Sequence, residues 1–139
     1  MKLDAAQAAR RLAASNDAYL VSRGVRALAL CGMCEARPEE MASILDMLRE
    51  AVGGTGSHDA EPFIFQTGEW AHYGFCSEPW VLSLYKWLTE NSGAVPEEHT
   101  DAICGMLFGY SPPAISQFLR DEARGRLDAS TVSVEPRSR

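Results

Sequence analysis

Pro96-Glu97-Glu98-His99-Thr100-Asp101-Ala102-Ile103-Cys104-Gly105-Met106-Leu107-Phe108-Gly109-Tyr110-Ser111-Pro112-Pro113-Ala114-Ile115-Ser116-Gln117-Phe118-Leu119-Arg120 is the stretch on which the fold class turns. Pro96 with two acids behind it opens a helix, because proline presets the first helical turn and acids favour its positive end. Gly109 ends that helix in a left-handed conformation, and Ser111 with Pro112 caps and starts the next. A helix, a tight turn and a helix are expected, and the flanking segments read the same way.

Upstream, Ser77-Glu78-Pro79 starts a helix that runs to about Asn91, with Trp80, Leu84, Trp87 and Leu88 on one face. Val81 and Tyr85 widen that face until only Ser83, Lys86 and Glu90 stay outside, which predicts a central position. Arg37-Pro38-Glu39-Glu40 starts another helix, carrying Met41, Ile44, Leu45 and Leu48 at helical spacing. Residues 17–36 are expected to be helical from the stripe Leu20, Val21, Val25, Leu28, Cys31 and Met33 or Cys34, and residues 3–14 form a first helix ending near Ser15-Asn16-Asp17. Phe63-Ile64-Phe65 reads as a short strand or a hydrophobic plug, while Trp70, Tyr73 and Phe75 fall in an expected loop. Beyond Gly125, Thr131-Val132-Ser133-Val134 alternates like a strand without a partner, so the end of the chain is read as a disordered tail.

The pattern predicts an all-α (mainly α) fold, a single compact helical domain of about six or seven helices. Residues 1–125 form that domain, made of N-terminal helices (1–52), a Gly-rich linker (53–62) and an aromatic, acidic helical part (63–125), with a polar tail over 126–139. A chain of 139 residues is long enough to bury such a core without disulfide staples.

Charge is unevenly spread. Residues 50–119 carry one base, Lys86, against nine acids, whereas the segments on either side each balance at +1, giving −6 overall. Eleven of the twelve aromatic residues also lie between Phe63 and Phe118, so the acidic block holds the largest anchors. This balance opposes attraction to phosphate backbones. No apolar run reaches the roughly 18 residues of a membrane span, and no secretion signal is evident, so a soluble cytoplasmic protein with reduced cysteines is expected.

Signals of catalysis are weak. Cys31-Gly32-Met33-Cys34 has half of a zinc spacing that Cys76 and His72 would have to complete, and the thiols read instead as small apolar residues. Cys76 or Cys104 with His72 or His99 lacks a local nucleophile motif. Gly53-Gly54-Thr55-Gly56-Ser57 lacks the Lys of a phosphate loop, and Glu39-Glu40 and Glu97-Glu98 read as helix-start acids. No cofactor, metal or enzymatic activity is predicted.

In the opening stretch Gly105 and Gly109 stand four apart, Phe108 and Tyr110 flank the turn, and Ile115 and Phe118 follow on the second helix. Over some twenty residues this segment resembles the helix-turn-helix of DNA-binding proteins. The resemblance implies that Ser111, Ser116, Gln117 and Arg120 would reach bases or phosphates, with Arg124 and Arg126 at the edge. The competing structural reading is a corner that folds Phe108, Tyr110, Ile115 and Phe118 against the 80–88 helix.

Weighing these, the expected function is a non-enzymatic protein interaction module, an adaptor or small acidic inhibitor that binds a basic partner surface. Glu69, Trp70, Tyr73, Glu78, Glu97, Glu98 and Asp101 are the expected contacts, since aromatic anchors with a charged rim make binding faces. In size and charge the chain is similar to small phage or mobile-element inhibitors that imitate nucleic acid. A DNA-binding regulator is the alternative, and self-association is compatible with either.

Overall fold

Leu28–Glu35 is a strand, and it overturns the all-α expectation. The computed structural model describes residues 4–134, with side chains as far as Gly125, and among these it has five helices and one three-stranded antiparallel sheet. In chain order the elements are α1 (Ala5–Ser22), β1 (Leu28–Glu35), α2 (Pro38–Gly54), β2 (Glu61–Thr67), β3 (Trp70–Cys76), α3 (Pro79–Glu90), α4 (Glu97–Leu107) and α5 (Pro112–Val134).

Helix α1 begins at a capping box, in which Asp4 accepts from the Gln7 N–H at 2.7 Å and Gln7 accepts from the Asp4 N–H at 3.2 Å. It does not stop at Ser15-Asn16-Asp17. It ends where Gly24, at φ +74°, donates to the Val21 carbonyl while Val25 donates to that of Leu20, a Schellman closure that only a left-handed residue permits. The expected helix over 17–36 fails there. Leu28-Ala29-Leu30-Cys31 continues the apolar run because β1 meets packed side chains on both faces, which erases the two-residue alternation.

The sheet order is β1-β3-β2, so α2 crosses from one edge to the other and β3 fills the gap antiparallel to both. Phe63-Ile64-Phe65 is thus a strand, and Trp70, Tyr73 and Phe75 lie on the central strand rather than in a loop. A two-residue turn joins β2 to β3, with Gly68 at φ +63° in its first position. Between Leu30 and Gly32 the register slips by one residue, a bulge at Cys31. Gly74 admits the β1 backbone so closely that a Cβ would lie 1.9 Å from the Ala29 carbonyl oxygen.

Each sheet face carries its own core. On one, Ala14, Ala18 and Val21 of α1 and Ile44, Leu48 and Ala51 of α2 pack over Ala29, Ala71, Tyr73 and Phe75. On the other, Val81 of α3 and Leu107 of α4 pack over Leu28, Phe63, Phe65 and Cys76. Tyr85 meets Phe65 and Phe108 edge-on, at 6.5 and 5.8 Å between ring centroids.

Helix α3 packs with part of its expected face: Val81 and Leu88 are buried and Leu84 and Tyr85 pack against the same core, whereas Trp80 is 62% and Trp87 48% exposed. Helices α4 and α5 lie where expected and meet at Gly109 (φ +85°), where the Tyr110 N–H donates to the Gly105 carbonyl and closes a second Schellman turn. Ala27 ties this corner to the sheet: its N–H donates to the Leu107 carbonyl at 3.1 Å, and its carbonyl accepts from the Ser77 N–H at 2.9 Å. The α5 backbone stays helical past Gly125 through Thr131–Val134; the rest of the expected tail, 135–139, lies outside the described residues. No helix among the described residues is long and apolar enough to cross a membrane.

Candidate functional site

Asp101, Cys104, Gly105 and Phe108 recur at i, i+3, i+4 and i+7 and so share one face of α4. Tyr110 in the turn and Ala114, Ile115 and Phe118 on α5 complete an open groove of about 430 Å³. Its floor is the closest approach of the two helices, where a Cβ on Gly105 would sit 2.9 Å from Ile115 Cγ1. Its rims are aromatic: Tyr110 is 62% and Phe118 52% exposed. The corner therefore does not fold all four apolar residues inward. Phe108 packs on Tyr85 and Ile115 is buried, but Tyr110 and Phe118 face solvent.

One end of the groove is acidic. Glu97 lies one turn before Asp101 on α4, Glu122 one turn after Phe118 on α5, and the three carboxylates have oxygens within 4.8 Å of one another. Among the described residues this is the one grouping of His, Cys, Asp or Glu close enough to share a cation. Asp101 Oδ2 is buried without a hydrogen-bond partner. Burial, and then the Asp101 charge, raise the pKa of the neighbouring Cys104 thiol.

The other expected contact residues are dispersed. Glu69 and Trp70 lie at the β2–β3 turn, beside a shallow recess lined by Glu35, Arg37 and Gln66, where Arg37 pairs with Glu35 at 3.1 Å and with Glu40 at 2.7 Å. Glu78 sits at the opposite end of β3, just ahead of α3. Glu98 is exposed on α4, outside the carboxylate grouping. Tyr73 is only 3% exposed, in the core beneath α1 and α2, so it offers no surface to a partner.

Of the residues that the helix-turn-helix resemblance selects, Ser111 caps α5 by accepting from the Ala114 N–H at 3.3 Å. Ser116, Gln117 and Arg120 are exposed on α5. Arg120 donates to Gln117 at 3.0 Å, and Gln117 donates to Asp121 at 2.9 Å.

The zinc set is not assembled. Cys31 and Cys34 belong to the core under α1 and α2, whereas Cys76 and the Phe65-stacked His72 lie on the opposite face of the sheet. All four cysteines are unpaired, and burial raises each thiol pKa, that of Cys76 to about 11, so none is held as a ready nucleophile. The Cys31 thiol donates to Asp17 at 3.2 Å, and that carboxylate reaches Arg26 at 3.6 Å.

Cys104, Tyr110, Ala114 and Phe118 escaped the sequence reading as groove residues, because their spacing equally suits a closed core. The available signal was Gly105, a residue without a side chain in mid-helix, which marks close approach of another element. No protein-family model, curated protein or solved structure matches this chain.

Proposed function

We propose that this protein is a non-enzymatic interaction module, an adaptor or small inhibitor that binds a basic protein partner in the cytoplasm. The observation that supports this reading is the α4–α5 groove, whose aromatic rims run into the carboxylates of Glu97, Asp101 and Glu122. Apolar contact supplies affinity in such a surface, and charge selects the partner and speeds encounter. Four unpaired thiols suit a reducing compartment. Pull-down from the native host at low and high salt tests the reading. A protein partner released by salt, and lost on reversing Glu97 and Asp101 to Lys, is expected; binding untouched by those reversals would refute it.

A second reading, a DNA-binding regulator, is favoured by the outward set Ser116, Gln117 and Arg120 on α5. Mobility shifts with random duplex DNA at low salt decide it, since even non-specific binding emerges there. The acids on α4 and the Gln117–Asp121 hydrogen bond weigh against it.

A further inference from the structure

We propose that the α4–α5 hairpin is a latch on a body that holds together without it: the hairpin opens as one cooperative unit, at a free energy below that of global unfolding, while α1, α2, α3 and the sheet stay folded. The device goes beyond the interaction-module reading and does not depend on it. The two layers hold the sheet unequally. On one side α1 and α2 bury six side chains over it, Ala14, Ala18, Val21, Ile44, Leu48 and Ala51. On the other side α4 buries one, Leu107, with Ile103 and Phe108 at the margin, and among the described residues α5 adds none to either core. Ile115, the buried apolar side chain of α5, meets Gly105 of α4, a contact inside the hairpin. Helix α3 has anchors of its own: Val81 in the core, and Tyr85 and Lys86 at the Phe65 ring, 6.5 and 5.2 Å from its centre.

Hinge and seat are equally local. Residues 91–96 link α3 to α4 and include Gly93 at φ +103°, with open space where a side chain would be. At the corner, Gly109 lies so close to the loop before β1 that a Cβ would be 2.6 Å from the Val25 carbonyl oxygen. Among the described residues one backbone hydrogen bond joins the hairpin to the body, from the Ala27 N–H to the Leu107 carbonyl at 3.1 Å. A segment with so few buried apolar contacts belongs at the low end of a protein's range of opening free energies. Off the sheet, the 11 residues of α4 are too few to persist as a helix, so detaching and unravelling are one event. The groove, whose walls are these two helices, exists only while the latch is shut.

Ala27 is the reporter. Its carbonyl is bonded to the Ser77 N–H at 2.9 Å, within the body, so its own N–H is freed by the departure of Leu107. Amide hydrogen exchange of the full chain, followed by NMR at rising sub-denaturing urea, tests the latch. Ala27, Phe108 and Tyr110 are expected to share one opening, with faster exchange and a shallower urea dependence than Ala71 and Phe75 of the central strand, because less surface is exposed. Leu107→Ala should speed exchange at those three amides by about thirtyfold or more. Leu48→Ala, in the opposite core, should speed Phe75 but change the three by less than about twofold, since its contacts persist when the latch opens. Amide spectra establish that each variant folds, and Leu107→Val or Ile44→Val replaces one that does not. Exchange of all five amides in a single event with one urea slope, equal acceleration of Ala27 and Phe75 by Leu48→Ala, or an Ala27 rate indifferent to Leu107→Ala would overturn the latch.

Discussion

Gly105 and Ile115 hold α4 against α5: a Cβ on Gly105 would lie 2.9 Å from Ile115 Cγ1 and 3.2 Å from Cδ1. Gly105→Val should therefore destabilise the protein by about 1 to 3 kcal/mol, the usual cost of overpacking, despite the better helix propensity of valine. Denaturant unfolding measures it. In an Ile115→Ala background the added penalty should shrink, and a penalty that persists undiminished would place the strain elsewhere.

Gly74 and Gly53 should respond oppositely to alanine. At Gly74 the new Cβ would meet the Ala29 carbonyl of a neighbouring strand at 1.9 Å, and backbone cannot turn aside as a side-chain tip can. Loss of roughly 4 kcal/mol or failure to fold is expected. Gly53, in α2, has nothing within 4 Å of the same position, so Gly53→Ala should stabilise by about 0.5 to 1 kcal/mol. Paired thermal melts check both.

Alkaline pH should unfold this protein through its thiols. Burial raises the Cys76 pKa from 9.0 to about 11, with Glu61 and Glu78 adding to the shift. A raised folded pKa means that stability is intact below the unfolded value and declines as pH climbs through the window from about 9 to about 11, by roughly 2 kcal/mol for this group. Cys31, Cys34, Cys104, Tyr73 and Tyr85 shift in the same direction. Thiol titration of the native protein should be slow at pH 8. Asp17→Asn should speed labelling of Cys31, because the Asp17 charge and hydrogen bond both raise its pKa after burial does.

Tryptophan emission should change little on unfolding. Trp70, Trp80 and Trp87 are 50%, 62% and 48% exposed, so each already meets water in the native state. Acrylamide should quench native and denatured protein to similar degrees. A strongly blue-shifted, protected native spectrum would restore the expectation that Trp80 and Trp87 belong to the core.

Punctuation and capping were legible where one residue type had one physical use. Pro38, Pro79 and Pro112 start helices, and Gly109 closes α4 in the left-handed region. Of the sheet, β2 showed as the short-strand reading of Phe63-Ile64-Phe65, but β1 was not legible, because Leu28 to Cys34 is packed from both sides and its hydrophobicity carries no period. Gly24 was the overlooked stop signal. In Trp70–Cys76 the alternation was disguised by Gly74, which supplies space rather than a side chain. The acidic character of α4 was visible in Glu97 and Asp101. Glu122, on α5, comes beside them only through the fold, as does the groove they terminate.

Ala27 imposes an order on how the chain can be finished as it leaves the ribosome. Once Cys76 has emerged, β1, β2 and β3 can pair and α1 and α2 can close over their side of the sheet. The opposite side, with Leu28, Phe63 and Phe65, stays bare until Val81 and then Leu107 arrive, and the Ala27 N–H waits for the same Leu107. A chain that ends before Val81 and Leu107 lacks the side chains that cover Leu28, Phe63 and Phe65, and so would leave that apolar side of the sheet open to water and to aggregation. Docking of α4 thus completes a sandwich begun far earlier in the chain.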